Sequence, residues 1–347
     1  MPNTPLVSIV TPSYNQAEFL EFTIQSVLGQ DYPNIEYLVI DGGSKDGSVE
    51  VIQKYTDWLA WWVSEPDAGQ AEAINKGFKR ARGEYIAWLN SDDIYLPGAI
   101  RQAMAAFQDD PSLGMVFSDA ITIDAQGKPL SRLSFGDWSI LDLVSFRIIC
   151  QPAVFMRRAV LEKAGYLEST YHYMLDHQLW IRMAVSAPIR HIESCSDEAS
   201  NPISALWAAA RHHPGAKNVS QAPGFSRETL QVLEWMETQP ELDKLITKNR
   251  KRVEAGAYRL NARYLLDGKL PAQALAAYWK ATLASPTYAL KHWHRMAYAV
   301  LCLVKLDGMT NPFRERFSIR KRKQLAADLR THMDDGLENW PGISLDI

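Results

Sequence analysis

Apolar residues arrive in short runs along the first part of the chain, at 7–11 (VSIVT), 35–41 (IEYLVID), 61–65 (WWVSE) and 84–90 (EYIAWLN). Each run is rich in β-branched and aromatic residues and is bounded by turn formers, which predicts a buried strand. Between the runs the apolar positions change to helical spacing. Leu20, Ile24, Val27 and Leu28 share one face, Val49, Ile52 and Tyr55 a second, and Ala71, Ile74, Phe78 and Ala81 a third that stops at Gly83. This alternation predicts an α/β domain: a mainly parallel sheet with helices on both faces, binding its ligand beyond the carboxyl ends of the strands. Further on, a helix is expected over 99–107, a strand over 114–119, a less regular stretch to 152, and a helix carrying Leu179, Trp180, Met183 and Ala184 after Asp176. Beyond residue 240 the pattern is purely helical. Tyr258, Ala262, Ala274, Tyr278, Ala281 and Pro286 fall at tetratricopeptide spacing, in one copy. Because such repeats need about three neighbours to be stable, the expectation is one helical hairpin docked on the main domain. The predicted division is an α/β domain over 1–240 and a helical region over 241–347.

With 347 residues, 47% of them apolar, the chain can bury a core without disulfides or a structural metal. Cys150, Cys195 and Cys302 lie far apart and form no C-x-x-C pair, which points to a reducing, cytoplasmic setting. No basic segment followed by an apolar one opens the chain, so no secretory signal is expected. The apolar run 296–304 is fenced by Arg295 and Lys305, too short to span a bilayer. Charge is unevenly spread: residues 1–240 carry 18 basic and 29 acidic groups, whereas 241–347 carry 19 and 11. A basic helical tail suits a membrane surface or an acidic partner, and equally a solvated face. No nucleic-acid partner is expected. The segment 288–306, followed by Arg314, Arg316 and the 320–323 cluster, reads either as an interfacial helix on an anionic membrane or as a core helix with a solvated tail.

The loops after the strands hold more Asp, Asn, Gly and Ser than turns require: Thr11-Pro12-Ser13-Tyr14-Asn15, the segment 41–47 (DGGSKDG), 65–70 (EPDAGQ), and Asn90-Ser91-Asp92-Asp93. Adjacent carboxylates repel unless a cation or a hydrogen-bond network absorbs them, so Asp92 and Asp93 suggest a hard divalent ion, Mg²⁺ or Mn²⁺. Helix capping by either aspartate is the competing structural role. The 41–47 segment has Gly43 and Lys45 where a calcium loop needs oxygen ligands, and no G-x-G-x-x-G, G-x-x-x-x-G-K-[ST] or H-E-x-x-H occurs. Dehydrogenase, P-loop and zinc-protease chemistry therefore lose their basis.

The order VSIVTPSYN, IEYLVIDGGSKDGS and EPDAGQAEAINKGFKRARGEYIAWLNSDD resembles the nucleotide-sugar half of the family 2 glycosyltransferases, which have the GT-A fold; the likeness covers residues 5–190. The resemblance implies nucleotide-sugar contacts from Thr11, Pro12, Tyr14, Asn15, Asp41, Asp67, Gly69 and Gln70. It adds Asn75 and Lys76 beside the sugar phosphate, and Asn90, Ser91 and Asp92 in place of the Asp-x-Asp metal motif. Asn90 is neutral, so metal ligation would rest on Asp92 and Asp93; either histidine of Arg211-His212-His213, with His212 put first, could ligate the metal or screen phosphate, against the role of an exposed loop histidine. Asp176 is the candidate general base, against a helix-cap role. Gln151 is a candidate acceptor contact, against a simple Gln-Pro chain break.

A lone base without a nucleophile implies one displacement and inverted anomeric configuration. The expected activity is an inverting, Mn²⁺- or Mg²⁺-dependent glycosyltransferase. It would move a sugar from a UDP- or GDP-linked donor to a glycan or lipid-linked acceptor in polysaccharide biosynthesis, in the cytoplasm or peripherally at the inner face of the plasma membrane. The alternatives are a non-catalytic nucleotide-sugar-binding or scaffold protein and a nucleotidyltransferase.

Overall fold

The computed structural model describes residues 4–193, 205–332, 337 and 339–345. Cys195 and the side chains of Arg314 and Arg316 lie outside the described residues.

The opening alternation is present: β1 (Val7–Ser13), α1 (Ala17–Leu28), β2 (Ile35–Asp41), α2 (Ser48–Lys54), β3 (Trp61–Ser64), α3 (Gln70–Arg80) and β4 (Tyr85–Trp88). Next come β5 (Ile94–Tyr95), α4 (Ala99–Asp109), β6 (Met115–Asp124), β7 (Pro129–Leu133), α5 (Ile140–Val144), β8 (Val154–Arg157), α6 (Arg158–Ala164), α7 (Leu175–Ser186), β9 (Ile189–Ile192) and β10 (Leu206–His212). Helices finish the chain: α8 (Lys217–Ser220), α9 (Ala222–Glu237), α10 (Pro240–Asp267), α11 (Pro271–Ala284), α12 (Pro286–Ala289), α13 (Trp293–Leu303) and α14 (Asn311–His332). The stretch before residue 152 is more ordered than its sequence suggests, because β6 runs on to Asp124 and turns back into β7.

Among the described residues the strands form one sheet in the order β3-β2-β1-β4-β8-β6-β10-β5, with β7 and β9 also on β6. β1 to β4 pair in parallel, β8 runs antiparallel between β4 and β6, and β6 pairs in parallel with β10. Side chains alternate across the sheet. Val10, Leu38, Ile86 and Trp88 face α3 and α7, while Ile9, Val39 and Ala87 face α1 and α4. At Gly77 a side chain would collide with Val10 and Ile40, so glycine lets α3 lie directly on the strands.

The first core does not stop at residue 240. Val253, Ala257, Leu260 and Tyr264 of α10 belong to it, and α10 packs with α11 as the expected hairpin. The chain then returns: Leu325, Leu329, Leu337 and Leu345 bury against Ile94, Ile121 and Leu206. Trp340 Nε1 donates to the Tyr95 carbonyl at 2.7 Å. Of the tryptophans near the site in sequence, Trp88 is core, stacked on Trp180 at 5.1 Å, whereas Trp58 is exposed.

Candidate active site

Parallel pairing places Ser13, Asp41 and Ser64 side by side at the strand ends. Asp41 is fully buried. Its carboxylate accepts the backbone N–H groups of Gly43 (3.0 Å) and Ser44 (2.9 Å) and the hydroxyls of Ser44 and Ser64. Its oxygens shape the loop from inside, and a carboxylate so engaged is well compensated for burial. Thr11 also points inward, to the Tyr37 hydroxyl at 3.0 Å, and Pro12 is buried beneath the loop.

The surface above is made by Tyr14, Gly42 and Asp67, one from each of the first three loops. A side chain on Gly42 would lie 2.7 Å from Asp67 Oδ2 and 3.2 Å from the Tyr14 ring, so the three close on one another only because residue 42 is glycine. Tyr14 is 62% exposed, its ring face open. Asn15, at φ 51°, accepts the Lys45 N–H and donates its own N–H to Ser44, lacing the first two loops. Asp67 accepts the Gly69 N–H at 2.8 Å, with Gly69 at φ 123°, a value side chains rarely permit.

Two implied phosphate neighbours have other partners. Asn75 exchanges both ends of its amide with the Leu167 backbone, at 2.8 and 3.0 Å, and Lys76 pairs with Glu65 at 2.6 Å.

After β4 an amide relay runs through the fourth loop. Lys217 donates to Gln70 (2.8 Å), Gln70 to Asn90 (2.8 Å), Asn90 to Gln151 (3.1 Å), and Gln151 to the Trp88 carbonyl (2.8 Å). Asn90 also donates to Asp93 at 3.2 Å. Gln151 therefore supports Asn90 directly, a contact its sequence neighbours do not disclose.

Ser91 is buried, and the two aspartates that follow it differ in kind. Asp93 turns inward, accepting the Arg211 N–H at 2.9 Å and the Asn90 amide. Burial first, and then the charge of Asp92, push its carboxyl well above the usual range, against the pull of those hydrogen bonds and Arg211. Asp92 keeps its carboxylate partly exposed, 3.1 Å from His213 Nε2. His212 is half-buried one residue earlier, held below the ordinary histidine range by burial and by nearby Arg263. The imidazole beside Asp92 is thus that of His213. A cleft of about 490 Å³ adjoins this pair, between Asn15, Phe19 and the 213–215 turn.

Arg211 does not face the cleft. Its guanidinium donates to the carbonyls of Asp92 (2.9 Å), Asp124 and Ala125 (both 3.1 Å) and lies over the Phe19 ring. It clamps the loop that carries Asp92.

Trp180 of α7 stacks on Trp88, two residues before Asn90, which brings the start of α7 to the end of β4. Asp176 sits in that first turn, hydrogen-bonded to the His177 N–H at 2.7 Å. Burial raises its pKa and two backbone hydrogen bonds lower it; with a further push from Glu228 the result is about 6. Burial and the charges of both Asp93 and Asp176 raise the Cys150 thiol, so both carboxyl groups lie near this side chain.

Glu228 of α9 is the residue that sequence reasoning missed. It is buried, and its carboxylate accepts three consecutive N–H groups, those of His172 (2.8 Å), Tyr173 (2.7 Å) and Met174 (2.8 Å), just ahead of Asp176. On an ordinary amphipathic helix, no local pattern marks it.

Among the described residues no three His, Cys, Asp or Glu side chains group as a metal cage. Of the expected ligands, Asp93 is engaged beneath the loop, and the imidazole hydrogen-bonded to Asp92 is that of His213 rather than His212. Asp92 and His213 are left as one carboxylate beside one imidazole, with His213 on the wall of the cleft. That donor set fits an ion completed by water and substrate phosphate.

Residues 8–165 match the profile of Glycosyl transferase family 2. An uncharacterized glycosyltransferase of Rickettsia typhi is 31% identical over 188 residues, 52% of this chain and 58% of that protein. The chondroitin synthase of Escherichia coli is 28% identical over 195 residues, 55% of this chain and 28% of the synthase. The chain thus spans only part of the length of these relatives. The mannosyltransferase PcManGT from Pyrobaculum calidifontis, solved with GDP-Man and Mn²⁺, superposes with a TM-score of 0.55 at 19% identity over 88% of each chain. That likeness establishes the GT-A fold.

Proposed function

Because residues 8–165 match Glycosyl transferase family 2, we propose that the chain transfers a sugar from a nucleoside-diphosphate sugar to a hydroxyl of a glycan or lipid-linked glycan, with inversion, in cell-surface polysaccharide synthesis. The observation that carries this reading is Asp176, a recessed carboxylate whose pKa burial raises to about 6. It sits in the first turn of the helix that stacks Trp180 on Trp88, near the Cys150 thiol that also feels Asp93. At neutral pH it is ionised and able to take the acceptor proton, which is what a general base requires. No side chain is assigned as a covalent nucleophile, so a single displacement is the consistent route.

On the donor side, Tyr14, Gly42 and Asp67 form the floor for the nucleotide, with the open Tyr14 ring available for stacking on the base. Asp92 and His213 would hold Mn²⁺ or Mg²⁺. The bound ion supplies Lewis-acid stabilisation of charge on the departing diphosphate. Asp93, Arg211 and the Gln70–Asn90–Gln151 relay fix the loop from below, and the neutral Asn90 leaves Asp92 as the carboxylate directed at the ion. The mannosyltransferase of the same fold was solved with GDP-Man and Mn²⁺, which supports a nucleotide-sugar donor and a divalent ion as the ligands to test.

The test is calorimetry with UDP and GDP, with and without Mn²⁺, beside transfer assays over a panel of nucleotide sugars. Nucleotide binding should tighten with the ion, and one donor should be turned over. Asp176→Asn should lose about 100-fold or more in kcat while keeping donor affinity. Nucleotide binding without transfer or hydrolysis of any donor would instead identify a binding protein. Pyrophosphate release from a nucleoside triphosphate would identify a nucleotidyltransferase.

A further inference from the structure

The C-terminal helices expose an apolar face that the fold leaves uncovered. α13 packs on α10 and α11 through small and flexible contacts: Ala299 is buried with Leu266 and Ala274, and Met296 and Cys302 lie against the same layer. Another side of it carries Trp293 and Val300, 66% and 47% exposed at helical spacing, and Val304 just past its end is 53% exposed. On neighbouring α11, Trp279 and Leu283 lie one turn apart and are exposed to 62% and 67%. Large side chains left open together on adjacent helices are unusual for a soluble surface and mark a contact face.

The charge around this face selects its partner. From residue 268 to residue 306 there is no Asp or Glu, whereas Lys269, Lys280, Lys291, Arg295 and Lys305 all fall in that stretch. α14 continues the same sign with Arg320, Arg322 and Lys323. Apolar side chains, two of them tryptophans, in a stretch whose charged residues are all cationic match the chemistry of an anionic lipid leaflet: acyl boundary for the rings and aliphatics, headgroup phosphate for the lysines. A second copy of the chain would set cation against cation. At 11 residues α13 is about 16 Å long, enough to lie in an interface and too short to cross it. Among the described residues no helix is long and apolar enough to cross a membrane.

We propose that the α11–α13 face is a docking surface for an anionic membrane leaflet, with Trp293 and Val300 inserted at the level of the headgroups. The surface is separate from the reaction, so its failure leaves the transfer reading untouched. The full chain is sedimented with vesicles of phosphatidylcholine alone or with about 30% phosphatidylglycerol, at about 0.05 M and about 0.5 M salt. Binding is expected to the anionic vesicles, to weaken at high salt, and to be much weaker to the neutral ones. Trp293→Ser combined with Val300→Ser should reduce the partition coefficient about tenfold or more, as should Lys291→Glu combined with Lys305→Glu. Trp293→Phe should retain most of the binding. A melting curve and nucleotide affinity like those of the native chain show that each variant is folded. Failure to sediment with anionic vesicles at low salt overturns the proposal. So does equal sedimentation of both double variants, or a dimer in light scattering that the Trp293→Ser, Val300→Ser chain no longer forms.

Discussion

Glu228→Gln keeps the length of the side chain while removing its charge and turning one acceptor into a donor. In the native chain one carboxylate oxygen takes the His172 N–H and the other takes those of Tyr173 and Met174. The best glutamine orientation keeps the latter pair and leaves the His172 N–H facing an amide NH₂. One part-buried donor without a protein partner costs about 1 kcal/mol or more, and the two retained bonds weaken as they lose charge assistance. A loss of about 2–4 kcal/mol, several degrees in Tm, is expected. The more specific effect falls on Asp176. Glu228 raises the pKa of Asp176 through its charge, so neutralising it lowers that pKa. A base is active when deprotonated, so the native kcat/KM should fall as pH drops through about 6, and in Glu228→Gln this fall should move to lower pH. Transfer by the native and variant chains, followed between about pH 5 and pH 8, reads the position of this limb. A merely structural Glu228 would lower the rate at every pH without moving the limb. A limb that stays in place, or moves upward, refutes the link between Glu228 and Asp176.

Two further outcomes follow from the same geometry. Gly42→Ala should raise the KM for the donor with little change in global stability, because the new methyl meets Asp67 Oδ2 and the Tyr14 ring on the nucleotide floor; donor titration reads it. Asp119 is raised by burial but brought down to about 2 by hydrogen bonds from His191, the Phe135 N–H and Arg132. Its folded pKa lies below the unfolded value, so its stabilisation, on the order of 2 kcal/mol, is present above about pH 4 and is lost as pH falls toward 2. Urea unfolding should show Asp119→Asn less stable than the native chain at pH 5, with the gap narrowing toward pH 3.

The order of strands and helices as far as β4, and the loops where chemistry gathers, were legible in the sequence. Both are written in local signals: a period of two or 3.6 in apolar positions, and turn residues at the element ends. Asp176 was singled out through the family resemblance rather than by local pattern, since the helix it opens is buried on most of its sides. Tertiary structure decided which way each side chain faces. Asp92 and Asp93 are neighbours of one chemical type, yet Arg211, more than a hundred residues later, takes Asp93 on its backbone N–H and leaves Asp92 to His213. Asn75 became a latch for Leu167, and Glu228 the organiser of the turn before Asp176, through contacts with residues far away in the chain. A buried polar group must find a partner, and that partner is supplied by whatever the fold brings alongside, which no local pattern records.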